Sequence, residues 1–183
     1  MEAKQKKIKV VVSVLALVAL VLCSLSGYAG KLEPSAPPGP TMKTLDEVEP
    51  RMPISQSDIP LTISTSGSYY FTGDLTATDT GITVEANDVT IDLMGYQLIG
   101  PGSGTSHGVY MDGRRNVEVC NGTVRRFGRS GIYEADGIYG KNHRVVNVRT
   151  LSNGWLGIQL AGEGNLVQDC TSAGNGSTGI FGG

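Results

Sequence analysis

Two carboxylates, Glu134 and Asp136, stand two residues apart in a stretch that is otherwise rich in basic side chains. Residues two apart on a strand point to the same face, and hydrolysis of a glycosidic bond ordinarily requires two positioned carboxylates. The basic neighbours are Arg125, Arg126, Arg129, Lys141 and Arg144. This combination predicts an acidic-sugar site where residues 129–136 bulge from the fold. The alternative is a loop whose charges neutralise one another in salt bridges.

Two further side chains stand out. His107 follows the glycine-rich loop 100–105, and a lone histidine in such a place is expected to be a surface residue. Trp155, beside Asn153-Gly154, is the aromatic residue that we most expect to be exposed and to stack on a sugar. The chain has no phosphate-binding loop, zinc spacing, serine-nucleophile elbow or nucleic-acid motif, so no metal site and no nucleic-acid partner are predicted.

The N-terminus has the pattern of a secretory signal peptide. A lysine-rich segment precedes the apolar run 10–22, and small residues follow at Gly27 and Ala29. This order predicts cleavage between Ala29 and Gly30 and export to the periplasm, cell surface or medium. The alternatives are an uncleaved signal anchor and lipid attachment at Cys23. The run is short for a membrane span, so no span is predicted in the mature chain.

The remaining chain changes character twice. Residues 30–57 contain six prolines with little apolar periodicity, which is typical of a linker. From residue 58 to 183, short β-branched and aromatic runs alternate with Gly, Asn, Asp and Ser, which predicts strands and tight turns without helices. Charge is uneven, because residues 113–150 carry eight basic and three acidic side chains. That excess could attract a polyanion.

An internal repeat predicts the fold. Glycine followed by apolar residues opens five units, at Gly81, Gly108, Gly137, Gly157 and Gly179. One unit of two or three short strands has no core of its own, so stacking of successive units is required. We therefore predict a single all-β domain, a right-handed parallel β-helix over 58–183, rather than an antiparallel sandwich or barrel. The domain is expected to be truncated at its C-terminal end, where an uncapped turn could associate end to end.

The repeat also bears on the cysteines of the mature domain. Cys120 and Cys170 fall in units that are two turns apart, at a separation of about 9.6 Å. A disulfide cannot span that distance. We therefore predict two reduced and largely buried thiols.

The chain resembles the bacterial right-handed parallel β-helix repeat proteins, a fold group that contains pectate lyases, polygalacturonases and NosD-type periplasmic proteins. The resemblance covers about 59–183 and rests on the segments 67–75, 89–96 and 121–124, while 39–51 is similar to a leader segment. Polygalacturonases have a histidine in a tripeptide similar to Ser106-His107-Gly108, which makes His107 a candidate catalytic residue, but their clustered aspartates are missing here. Lyases of the group use Ca²⁺-binding carboxylates and an Arg or Lys base, which makes Glu134, Asp136 and Arg129 further candidate catalytic residues.

Three functions follow as hypotheses. The first is a non-catalytic surface or periplasmic module that binds extracellular or cell-wall polysaccharide and needs no cofactor. The second is a lyase or glycoside hydrolase acting on acidic polysaccharide, with Ca²⁺ required only in the lyase case. The third is a structural solenoid of a longer surface protein. The residues expected to contact a ligand are Arg125, Arg126, Lys141, Arg144 and Trp155.

Overall fold

The computed structural model describes Gln5, residues 50–135 and residues 140–182. The chain divides into two compact units, Met1–Lys43 and Thr44–Gly183, and all strands reported below belong to the second. The predicted signal peptide 1–29 with its Ala29-Gly30 cleavage site, nearly all of the predicted linker, and Asp136 lie outside the described residues. Within the described part, no helix is long and apolar enough to cross a membrane.

The described residues are almost entirely short strands joined by turns. The strands are β1 (Met52–Ile54), β2 (Leu61–Ile63), β3 (Gly67–Phe71), β4 (Leu75–Thr76), β5 (Ile82–Val84), β6 (Val89–Asp92), β7 (Gln97–Ile99), β8 (Val109–Met111), β9 (Val117–Arg125), β10 (Ile132–Glu134), β11 (Arg144–Leu151), β12 (Ile158–Leu160), β13 (Leu166–Gln168), β14 (Thr171–Ala173) and β15 (Ile180–Gly182). One 3₁₀ turn, Gln56–Asp58, follows β1.

The strands stack into a parallel β-solenoid of about five turns. Each strand pairs in parallel with its equivalent in the next coil, as β9 does with β11 over seven residue pairs. This architecture confirms the predicted all-β, single-domain β-solenoid, and its parallel pairing is incompatible with the antiparallel alternative. The first strand begins at Met52 and pairs with β3, so regular structure starts inside the segment that the sequence assigns to the linker.

Three faces surround one core. Face 1 is the six-stranded sheet of β2, β5, β8, β10, β12 and β15. Face 2 contains β1, β3, β6, the first parts of β9 and β11, and β13; face 3 contains β4, β7, the second parts of β9 and β11, and β14. Alternate residues of each strand point inward, and the interior is almost wholly aliphatic.

Residues with left-handed backbone form the corners between faces. One corner stacks Asp88, Asn116, Asn142 and Gly164, whose φ angles run from 53° to 72°. The second stacks Asn121, Asn147 and Asp169, and the third stacks Arg126, Ser152 and Gly174. Asn and Asp tolerate this conformation because their side chains bond locally. Asparagine and aspartate therefore hold more of these corner positions than glycine does.

The repeat register differs from the prediction at one unit. The coil opens at Gly131, because Ile132 pairs with Val109 on one side and Ile158 on the other; Gly137 lies outside the described residues. The spacings between opening glycines are then 27, 23, 26 and 22 residues instead of 27, 29, 20 and 22. The predicted bulge at 129–136 is also wrong, since Ile132–Glu134 is a regular strand.

The distance to the next corner explains this register. In three other coils the left-handed corner residue follows the opening glycine by seven or eight positions, as Asp88 follows Gly81. Asn142 follows Gly137 by only five positions and Gly131 by eleven. Five residues are too few for a three-residue strand and the turn after it, whereas surplus residues are accommodated as an insertion.

Both described cysteines are free thiols, as predicted. Cys120 is buried on face 2, and Cys170 is half-buried rather than largely buried. Cys120 aligns through Val146 with Gln168, so the two thiols are two coils apart and not at equivalent positions. Desolvation and the carboxylates of Asp92 and Glu118 raise the pKa of Cys120 to about 11.

Candidate ligand-binding face

Face 1 carries a row of aromatic side chains. Each of its strands has a single outward position, and the parallel register places Thr83, Tyr110, Tyr133, Gln159 and Phe181 in line. Tyr110 and Tyr133 have ring centroids 6.0 Å apart and nearly parallel planes, at 16°. In-register strands about 4.8 Å apart produce this stacking whenever two neighbouring coils carry the same outward ring.

The residues that precede each opening glycine extend the row on one side. His107 stacks on Tyr133 with centroids 4.5 Å apart, and Trp155 lies 6.0 Å from Tyr133. The Arg129 guanidinium lies 4.8 Å from the centroid of the Trp155 ring, a cation–π contact. We call His107, Tyr110, Arg129, Tyr133 and Trp155 the aromatic row.

Stacking decides what the aromatic row presents to solvent. Tyr110, Arg129, Tyr133 and Trp155 are each half-buried, because neighbouring members of the row cover part of each ring. Burial, with smaller contributions from Asp112 and Tyr133, raises the pKa of Tyr110, so its hydroxyl stays neutral and can both donate and accept. The row therefore offers hydrogen-bonding groups on an apolar base.

Depressions in the surface flank the row. One of 410 Å³ is lined by Thr83, Glu85, Tyr110, Asp112 and Arg114, among others. Another of 250 Å³ is lined by Trp155, Leu156, Gln159, Ser177, Thr178 and Phe181. Both are open and shallow, as expected for a site that holds a chain along the surface.

His107 is not the surface residue that the sequence led us to expect. Its side chain is only 6% exposed, because Tyr110 and Tyr133 pack against it. Burial and, secondarily, the positive charge of Arg129 lower the pKa of His107 to about 4. The imidazole is therefore neutral at pH 5 and above, and Arg129 carries the only permanent charge in the aromatic row.

This burial makes stability depend on pH. The unfolded chain binds a proton at His107 near pH 6.5, whereas the folded chain does so only near pH 4. Between these values the unfolded state holds more protons, so stability falls as pH decreases through this window. We expect the urea unfolding midpoint to fall between pH 7 and pH 4, and to fall less in His107→Gln. An equal fall in both proteins would contradict this assignment.

Glu134 is sealed inside the solenoid. Its strand position is inward, in line with Ile63, Val84 and Met111, and its side chain has no exposed surface. The carboxylate lies against Gly140, where a Cβ would overlap Oε1. A group enclosed in this way cannot reach a polysaccharide on the surface, which argues against its candidate catalytic role.

The partner of Glu134 is a second buried titratable side chain, His143. The Nε2 atom of His143 lies 3.1 Å from Oε2 of Glu134, and both side chains are 0% exposed. The Val117 N–H donates to Nδ1 of His143 at 3.3 Å, which leaves the proton of a neutral imidazole on Nε2, facing the carboxylate. Neither oxygen of Glu134 has an aligned hydrogen bond within the described residues. The sequence analysis did not identify His143.

The other basic candidates are spread over the molecule. Arg144 lies on face 2, where it approaches Glu118 at 3.9 Å. The backbone of Lys141 forms parallel β-bridges with Arg115 and Glu163 near the first corner. Arg125 points outward from face 3, and Arg126 is at the third corner. Of the predicted site residues that the structure describes, His107, Arg129 and Trp155 come together in the aromatic row.

Tyr110 and Tyr133 complete the site and were not among the predicted site residues. A sequence signal exists, because each is the second residue after an opening glycine.

Within 50–135 and 140–182, no three His, Cys, Asp or Glu side chains are grouped in a way that could hold a metal ion. No family model, curated protein or solved structure matches the chain.

Proposed function

We propose that this chain is an exported, non-catalytic polysaccharide-binding module of the pectate lyase-like and NosD-like group of right-handed β-helix proteins. The observation that carries the proposal is the aromatic row: stacked rings and one arginine on consecutive coils of a rigid sheet. Aromatic bases rimmed with donors and acceptors suit sugars, which have apolar C–H faces and hydroxyl edges. Export follows from the signal-like residues 1–29.

Two features favour binding over catalysis. Glu134 is enclosed with His143, so it cannot serve as one of the two accessible carboxylates that glycoside hydrolysis requires. Arg129, the candidate base of a lyase, is held over the Trp155 ring. Among the described residues, Glu85 and Asp112 line the depression beside Tyr110 together with Arg114, whose guanidinium donates to backbone carbonyls.

The test measures binding and turnover of the full-length chain on the same polysaccharides. Neutral and acidic polysaccharides are screened with and without Ca²⁺, following bound sugar, reducing ends and the absorbance of unsaturated products. We expect binding without turnover. Loss of a central aromatic anchor typically costs more than 1 kcal/mol of binding energy, so Trp155→Ala and Tyr110→Ala should each weaken binding about tenfold.

Tyr96→Ala is the matched control, because Tyr96 is 39% exposed and is not part of the aromatic row. It should bind as the wild type does. Turnover that is lost in Arg129→Gln would establish an enzyme instead. A folded chain that binds none of the polysaccharides would leave the structural solenoid as the better interpretation.

A further inference from the structure

Three arginines gather on face 3 and at the third corner, which adjoins it. Arg149 aligns with Thr123, and Arg125 aligns with Leu151 in the same pair of strands. The two arginines are thus diagonal neighbours on adjacent coils, with Cα atoms about 7–8 Å apart. Arg126 follows Arg125 at the corner, and its guanidinium lies against Gly102. We call Arg125, Arg126 and Arg149 the arginine patch.

Among the residues that the structure describes, no carboxylate forms an ion pair with the arginine patch. Within the described residues, ion pairs at 4.0 Å or less involve Arg51, His143 and Arg144, and none involves the patch. Arg149 donates only to the Thr123 hydroxyl, at 3.3 Å. The Nε atom of Arg125 is buried without a hydrogen-bond partner. Each guanidinium has five N–H donors, so most of this capacity is free.

Opposing charges near the arginine patch are few. Asp74 precedes β4 on face 3 and accepts from the Gln97 backbone and side chain, and its coil is three coils away from that of Arg149. Asp169 is at the second corner and interacts with the Gln168 amide. Like charges on neighbouring coils destabilise a sheet. A locally unfavourable arrangement of this kind is typical of functional sites.

We infer that the arginine patch binds a soluble linear polyanion through its carboxylate or phosphate oxygens. Guanidinium groups match both oxyanions by bidentate hydrogen bonding. A polymer repeats its anionic groups and can engage all three arginines at once, which strengthens binding beyond any single contact. The remaining aligned side chains, including Thr123, Leu151 and Ala173, are of modest size and leave room for a chain along face 3.

The experiment compares two single variants of β11 that remove the same charge. Binding of polygalacturonate and of polyphosphate to the full-length chain is measured at low and at physiological salt. An exposed charge pair contributes up to about 1 kcal/mol. Arg149→Gln should therefore weaken binding up to about fivefold, and Arg125→Gln/Arg126→Gln/Arg149→Gln more than tenfold. Arg144→Gln, on face 2 and paired with Glu118, should bind as the wild type does.

The two probes and the salt series separate the outcomes. Binding of one polymer alone identifies carboxylate or phosphate as the ligand group. Equal losses in Arg149→Gln and Arg144→Gln, or full binding by the triple variant, would overturn the inference. So would binding to phosphatidylglycerol vesicles with no binding to either polymer. Trp155→Ala should leave polyphosphate binding unchanged, so failure of the proposed sugar site does not affect this result.

Discussion

Glu134→Leu is expected to destabilise the protein by about 1 to 3 kcal/mol, even though leucine matches the apolar column that it enters. The column contains Ile63, Val84 and Met111, so packing alone would favour leucine. The substitution leaves the buried His143 without its partner, because Nε2 of His143 faces Glu134 at 3.1 Å. Removal of Glu134 leaves the buried Nε2–H of a neutral His143 desolvated and without an acceptor, which typically costs this amount.

The double variant Glu134→Leu/His143→Asn should recover most of that loss. Asn165 occupies the position equivalent to His143 in the next coil, and its Oδ1 accepts the backbone N–H of His143 at 2.9 Å. Asparagine therefore fits this position of the coil. An asparagine at 143 can accept the Val117 N–H in the same way that Nδ1 of His143 does. Replacing a complete buried pair by well-packed groups is often neutral or stabilising, so we expect stability within about 1 kcal/mol of the wild type.

Urea unfolding of all four proteins, followed by circular dichroism, provides the double-mutant cycle. The prediction requires a coupling energy of more than 1 kcal/mol between positions 134 and 143. Additive effects of the two substitutions would contradict it, since they would mean that the two side chains do not depend on each other.

Phe127→Ala is the second substitution with a large expected effect. Phe127 is 1% exposed and fills the corner where the chain passes from face 3 to face 1. Its neighbours include Gly100 and Gly108, where an added Cβ would lie 2.6 Å and 3.1 Å from ring atoms. Glycines have no side chains that could move into the space, so the cavity would persist. Such a loss costs about 3 to 5 kcal/mol.

Phe181→Ala is the matched control for this prediction, because Phe181 is 46% exposed on β15 and surface substitutions change stability by about 0.5 kcal/mol or less. The Phe127 variant keeps the backbone N–H that donates to Oδ1 of Asn153 at 3.1 Å, so only packing is tested. Trp155 is the single tryptophan, and its fluorescence reports unfolding. Similar midpoints for both variants would contradict the packing assignment.

The fold class could be predicted from the sequence because it depends on local properties. Short β-branched runs, glycines at a recurring period and asparagines between runs each restrict the backbone in a way that neighbouring residues determine. No single unit can bury its apolar side chains, so repetition leads to coiling. The free thiols followed from the same counting of coils.

The residues of the candidate site could be predicted less well from the sequence. Gly131-Ile132-Tyr133 and Gly137-Ile138-Tyr139 are equally good local matches for a coil-opening strand, and the required distance to the corner at Asn142 selects the first. That choice directs Glu134 inward and Tyr133 outward. A shift of register reassigns the face of each side chain, so the carboxylate that the sequence placed in a surface loop is a core residue.

The sequence by itself therefore determined the strands, the coiling and the basic character of residues 113–150, because these depend on residue type and period. Only the tertiary structure decided which side chains meet. It distributes Arg125, Lys141 and Arg144, close along the chain, among a face, a corner and another face. It also joins His107, Tyr133 and Trp155 from three successive coils. The physical reason is that a solenoid brings together residues one full coil apart, and coil length varies here from 22 to 27 residues.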